Sequence, residues 1–229
     1  MVVNIVVSKY DENIDWINKV KHKVLIYDKS NNPHKDAIQL KNRGREGETF
    51  LYHIVNNYDK LDDVTVFLQG NPFEHLQLLV GWRAQLTEEE KEIVVDKMNN
   101  EINDECEFTS FYQVAYNVPN YTNNANAREI CNKYFNVDYD YFTCIPSAQF
   151  IVPKRYILSR PLEFWKRLHK DMYNESINGY GMEQLWYLAY KGTMNDKLQI
   201  HDIEKERCIP KVSMSHTPYS YFNEINVNL

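Results

Sequence analysis

Three short runs in the first third of the chain are apolar at nearly every position: Val2 to Val7 (VVNIVV), Val24 to Tyr27 (VLIY) and Val64 to Leu68 (VTVFL). Continuous β-branched runs of this length predict strands covered on both faces, the habit of parallel sheets. Between them the period changes. Asp11 to Val20 reads as one helix and Glu46 to Tyr58 as another, the second with Phe50, Leu51, Ile54, Val55 and Tyr58 at helical spacing. Strands alternating with helices form βαβ units, so the expected class is α/β, with a mostly parallel central sheet flanked by helices.

The second half is less regular. Thr87 to Glu90 (TEEE) is a capping box, a hydroxyl for an orphan amide with a Glu three residues on, and Ile93, Val94, Met98 and Ile102 extend it into a helix of roughly four turns. Asn117 to Ala127 (NVPNYTNNANA) has the Pro and Asn content of a loop, and Arg128 to Phe135 reads as a short helix. Ala148 to Val152 predicts a late strand. Pro161 opens a helix with Leu162, Trp165, Leu168 and Met172 on one face, and Met182 to Tyr190 forms a last helix after a Gly-Tyr-Gly turn. From Lys191 the periodicity fades. The expectation is one domain over residues 1–229, with a core of about 1–190 and a C-terminal extension over 191–229.

Charge and cysteine usage narrow the function classes. A net charge of −6 argues against a broad nucleic-acid surface, which needs clustered Lys and Arg. The apolar start MVVNIVV is too short for a signal core or a membrane span. Cys106, Cys131, Cys144 and Cys208 are scattered with no CxxC pair. Together these predict free thiols in a reducing, cytoplasmic setting.

Open α/β sheets bind ligands beyond the carboxyl ends of their strands, which gives four junctions priority. After the first strand come Tyr10, Asp11 and Glu12, where helix-start amides suit an anionic or nucleotide group; the plainer reading is that Asp11 or Asn13 caps a helix. After the second comes Asp28, either an acceptor for a ribose or base, or a solvated turn residue. In Asn42 to Gly47 (NRGREG), Arg43 and Arg45 suit a diphosphate, or else pair with Glu46 and Glu48 at the surface. The fourth junction, Phe67 to His75 (FLQGNPFEH), is expected at the centre of the cleft. It offers Gln69, Asn71, Glu74 and His75 around Gly70 and Pro72, and its bland alternative is a polar helix-capping turn. Glu183 begins a helix, a place that favours a carboxylate and a candidate general base.

Taken in order, VVSKYDENIDWI, VLIYDK, NRGREGETFLYHIV, DDVTVFLQGNPFEH, SAQFIVPKRYILSRPLEFW and MEQLW resemble a family of uncharacterised glycosyltransferase-like domains from fungal, plant and large-virus genomes. The resemblance covers about residues 3 to 190. The NxGREGxTFL segment is also similar to the NxGRDxxxFL segment of polysaccharide-building glycosyltransferases, which implies the GT-A fold, a Rossmann-like sheet that binds nucleotide sugars. In that fold the strand matching VTVFL ends in Asp-x-Asp, which holds a divalent metal such as Mn or Mg against the donor diphosphate. This chain has Gln69-Gly70-Asn71 there, and neutral amides bind a hard cation more weakly.

By this resemblance Tyr10, Asp11, Glu12 and Asp28 face the nucleotide, with Gln69 and Asn71 near the donor. Arg43 and Arg45 face its diphosphate, or Arg pairs with a structural carboxylate. Asn71, Glu74, His75 and His216 make up the metal set, while Glu183 and His75 take the catalytic roles. The expected activity is glycosyl transfer from a UDP-sugar, or a GDP-sugar, to a glycan or protein acceptor. A non-catalytic carbohydrate- or protein-binding module on a degenerate scaffold is the main rival. A metal-dependent hydrolase built on Glu74 and His75 is a third, which lacks HExxH or paired His.

Overall fold

In the computed structural model the described residues are 1–74, 86–103, 106–110, 116–119, 127–135, 141–144, 148–177 and 179–190. The strands are β1 (Val3–Lys9), β2 (Lys23–Asp28), β3 (Ile38–Gln39), β4 (Val64–Gln69), β5 (Thr109–Ser110), β6 (Tyr116–Pro119), β7 (Tyr141–Cys144) and β8 (Phe150–Pro153). Six of them form one sheet in the order β3-β2-β1-β4-β8-β5, and β6 and β7 form a separate antiparallel pair. The pairs β1 with β2, β1 with β4 and β2 with β3 are parallel, as the apolar runs predict. The late strand is the exception, since β8 lies antiparallel to both β4 and β5.

The helices are α1 (Arg45–Asn57), α2 (Glu88–Glu101), α3 (Ala127–Ile130), α4 (Lys154–Leu158), α5 (Leu162–Tyr173) and α6 (Gly179–Tyr190). Alternation along the strands explains the continuous apolar runs. Val6 and Phe67 point to the side covered by Phe50 and Ile54 of α1, Trp165 and Leu168 of α5 and Trp186 of α6. Ile5, Val7, Val66 and Leu68 point to the other, against Ile14, Trp16, Phe73 and Val94 and Met98 of α2. Each such side chain contributes about 1.5–3 kcal/mol on full burial, so the sheet is held from both faces.

Three expectations change. The helix expected over Asp11 to Val20 shrinks to a 3-10 stretch, Asp15–Lys19. The polar residues before it bond locally instead: Glu12 Oε2 accepts from Tyr10 N–H at 2.6 Å and Asn13 Oδ1 from Asp15 N–H at 2.7 Å, which competes with helix formation. Asn117 to Pro119, read as loop, belongs to β6 and pairs with β7. Helix α6 begins at Gly179, ahead of Met182. The Thr87 capping box is present with both reciprocal bonds. Cys106 and Cys131 are buried free thiols. Among the described residues no helix is long and apolar enough to cross a membrane.

Candidate functional site

The turn that opens α1 has two consecutive left-handed residues, Gly44 (φ 59°) and Arg45 (φ 52°). Glycine is required at the first, because a Cβ there would lie 2.6 Å from Glu48 Cβ and 3.1 Å from the Met172 carbonyl oxygen. Arg45 carries a side chain in the same region at a cost of about 1–2 kcal/mol, and neighbouring contacts hold it there. Lys29, the residue after β2, donates from Nζ to the carbonyl oxygens of Arg43 (2.6 Å) and Arg45 (2.5 Å).

The same Nζ lies 2.8 Å from Glu48 Oε2, with both side chains 3% exposed. His169 of α5 meets the other oxygen of Glu48 at 2.9 Å. Nζ thus donates to two carbonyls and lies at ion-pair distance from the Glu48 carboxylate, its counter-charge. Burial opposes the charge on Glu48, but His169 and Lys29 outweigh it and hold the carboxyl below its ordinary value. One buried network thus ties the end of β2 to the first turn of α1 and the last turns of α5.

A cleft of about 370 Å³ opens beside this turn. Its cationic lining is Lys9, Lys29 and Arg45, and its acidic lining is Glu12, Glu46 and Glu183. Ser8, Tyr10, Asn42 and Gln69 complete it. Because β2 and β4 flank β1 on opposite sides, the carboxyl end of β1 is the topological switch point, where the crossovers part and a ligand finds room. Gly44, the residue before α1, gives the first turn of the helix no side-chain cap at this end.

Five sequence candidates meet in the cleft: Tyr10, Glu12, Arg45, Gln69 and Glu183. Asp28 does not. It is fully buried, 3.0 Å from Lys9 Nζ, and accepts from the amides of Ser30 (2.8 Å) and His34 (2.9 Å), so it is neither a nucleotide contact nor a solvated turn residue. Burial works against its charge; Ser30, His34 and Lys9 prevail and keep its carboxyl below the ordinary range. Asp11 is exposed outside the lining. Arg43 lies over the Tyr173 ring at 5.5 Å and gives the network its carbonyl rather than its guanidinium. Glu48 pairs with Lys29 and His169, not with an arginine as expected of a surface turn.

The segment expected at the cleft centre mostly folds inward. Asn71 Oδ1 accepts from Phe73 N–H at 3.3 Å, Gly70 O from Trp16 Nε1 at 2.9 Å and Pro72 O from Gln149 Nε2 at 3.2 Å. Phe73 is buried edge-to-face on Trp16, with ring centroids 6.0 Å apart. Among the described residues of this segment only Gln69 lines the cleft, and Glu74 is exposed outside the lining. His75 and His216 lie outside the described residues. Among the described residues no group of three or more His, Cys, Asp or Glu could hold a metal ion. Among the described members of the donor set that the GT-A resemblance implies, Asn71 is committed to its own turn and Glu74 lies outside the cleft lining.

Lys29 and His169 escaped the sequence reading, and Glu48 entered it only as a surface partner of arginine, yet they leave a signal. His169 falls within the apolar stripe of Trp165, Leu168 and Met172, and Glu48 precedes Leu51 by one turn. Titratable residues on a buried stripe need partners.

The profile of the family described as "Protein of unknown function (DUF3431)" matches residues 5–211. The chain belongs to the DUF3431 family. Every residue that lines the DUF3431 cleft falls within the matched span. Searches of curated proteins and of solved structures give no match. A DUF3431 function has to be argued from the site itself.

Proposed function

We propose that the cleft binds the diphosphate of a nucleotide sugar, a UDP-sugar in the favoured case, and that the protein transfers the glycosyl group to a glycan or other acceptor on a GT-A-like scaffold. The observation that carries this reading is the joint placement of Arg45, Lys9 and Lys29 with the uncapped amides of α1 at the switch point. Helix-start amides and guanidinium forks are the usual means of holding phosphates. The NxGREGxTFL resemblance supports the same reading, since that segment forms the α1 turn.

Glu183, one turn into α6 on the cleft lining, is the group suited to take the proton from an acceptor hydroxyl. The acceptor oxygen then bonds to the sugar C1 as the bond from C1 to the diphosphate oxygen breaks. Arg45 and the α1 amides stabilise the charge that develops on the departing diphosphate. Glu46 and Gln69 suit hydroxyl groups of the donor. With no fitting metal donors described, no step is routed through a metal.

The test is isothermal titration of UDP and GDP, with manganese and with EDTA. Saturable UDP binding that persists in EDTA and weakens at least tenfold in Arg45→Ala is expected; no binding of either nucleotide under any condition sinks the reading. Glu183→Gln should lose UDP release from a UDP-sugar while keeping UDP affinity.

The inward turn of Asn71 favours a second reading, a binding module without catalysis. Glycan-array binding that is saturable, independent of nucleotide and unchanged in Glu183→Gln would select it.

A further inference from the structure

A second pocket, of about 300 Å³, opens at the other end of the sheet, on the side covered by α1. Asn4 of β1 lines it beside Leu25 and Tyr27 of β2, and His53 and Asn57 face them from α1. Within this wall the polar groups mostly satisfy one another. Tyr27 Oη meets His53 Nδ1 at 3.0 Å, and Asn57 Nδ2 donates to the same nitrogen at 3.3 Å and to the His53 carbonyl at 2.8 Å. Since Nδ1 accepts, the proton of the neutral ring sits on Nε2.

Two groups are left over. The Nε2 N–H of His53 has no recorded acceptor among the described residues, and Asn4, 3% exposed, has a buried Oδ1 with no donor. Cationic charge lies next to them: Lys23 is 3.6 Å from Asp62, whereas Lys60 makes no ion pair among the described residues. Burial first, then the charges of Lys23 and Lys60, lower the His53 pKa to about 4, so the ring is a neutral donor near pH 7. Half-buried Leu25 and Ile38, the latter 45% exposed on the edge strand β3, give the pocket an uncovered apolar wall.

We propose that this pocket is a second binding site, for a small hydroxylated organic anion with a flat apolar body. The anionic group accepts from His53 Nε2 and meets Lys60, the body lies on Leu25 and Ile38, and the hydroxyl donates to Asn4 Oδ1. A volume of this size falls at the small end of ordinary ligand pockets, about 300–1,000 Å³. The inference is independent of the nucleotide-sugar reading, because it uses other residues at the opposite end of the strands.

Three probes on the full chain test it, with binding read by titration calorimetry and by the NMR signals of the His53 ring: 4-hydroxybenzoate, benzoate and phenol. Saturable binding is expected in that order, with benzoate at least threefold and phenol at least tenfold weaker than 4-hydroxybenzoate. Lys60→Glu, at an exposed position, should weaken 4-hydroxybenzoate at least tenfold, and Arg45→Ala in the cleft should leave it unchanged. Asn4→Val should abolish the advantage of 4-hydroxybenzoate over benzoate and raise the melting temperature of the free protein, since it removes an unpaired buried acceptor. Absence of saturation, phenol binding as tightly as 4-hydroxybenzoate, or weakening by Arg45→Ala would each overturn the proposal.

Discussion

Helix α1 carries two buried titratable side chains, and both are kept deprotonated, one charged and one neutral. Glu48, in the first turn, is charged and locked between Lys29 and His169. His53 lies five residues, about 7.5 Å, further along the same helix and is held neutral by burial and hydrogen bonds to Tyr27 and Asn57. The cleft end therefore concentrates charge, and the other end avoids it. A buried ion pair brings little net stability compared with an apolar substitute, so its value here is positional: it lets Lys29 grip the carbonyls of a left-handed turn.

The contrast breaks most visibly at the charged end. Glu48→Ala leaves Lys29 buried with no counter-charge, and urea unfolding should show a loss of about 3–5 kcal/mol, with UDP affinity falling as the Arg45 turn loosens. A loss under about 1 kcal/mol would mean that the ion pair does not organise this end.

Acid should separate the two groups. The folded pKa of His53, about 4, lies below its ordinary 6.5, so between these values the unfolded chain binds a proton that the folded chain refuses. Stability contributed by neutral His53 is complete above pH 6.5 and falls away towards pH 4, by on the order of 3 kcal/mol. Glu48, whose folded pKa is lowered from 4.5, keeps its contribution down to about pH 4.5 and loses it below that, as the pH falls to the lowered value. Urea unfolding from pH 7 to pH 4 on wild type and His53→Gln checks this, because the variant should lose the slope between pH 6.5 and 4. The smallest effect belongs to Asn57→Ala, which removes one donor to His53 and should cost about 0.5–1.5 kcal/mol without altering UDP affinity.

The parallel part of the sheet was legible because the buried strands β1, β2 and β4 leave a mark at each position, and α1 because its apolar period is regular. The antiparallel turn of β8 was not, since a short apolar run carries no sign of direction. At the site, strand-end reasoning reached Tyr10, Glu12, Arg45 and Gln69, and a separate helix-start argument reached Glu183, but the centre was misplaced. NRGREG and QGNPFE are equally polar and equally well situated, yet one turns towards the cleft and the other towards Trp16 and Gln149. What decides is the identity of the buried partner, which lies 54 residues away for Gly70 and Trp16, 77 for Pro72 and Gln149, and 121 for Glu48 and His169, and no local pattern encodes it.

The reversal of β8 has a further consequence. It delivers the chain at Pro153, opposite Val64 and away from the cleft. Helix α5 accordingly starts near the tail of α1, where Tyr58 Oη donates to the Arg160 carbonyl, and returns to the first turn of α1 at His169. Helix α6 then sets out from the cleft, with Gly179 against the Arg45 side chain and Glu183 one turn on. A parallel β8 would have inverted both helices. The single antiparallel pairing thus acts as a parity bit in the topology: it decides that the tail of one helix packs beside the first turn of α1 and the electropositive head of the next beside Arg45.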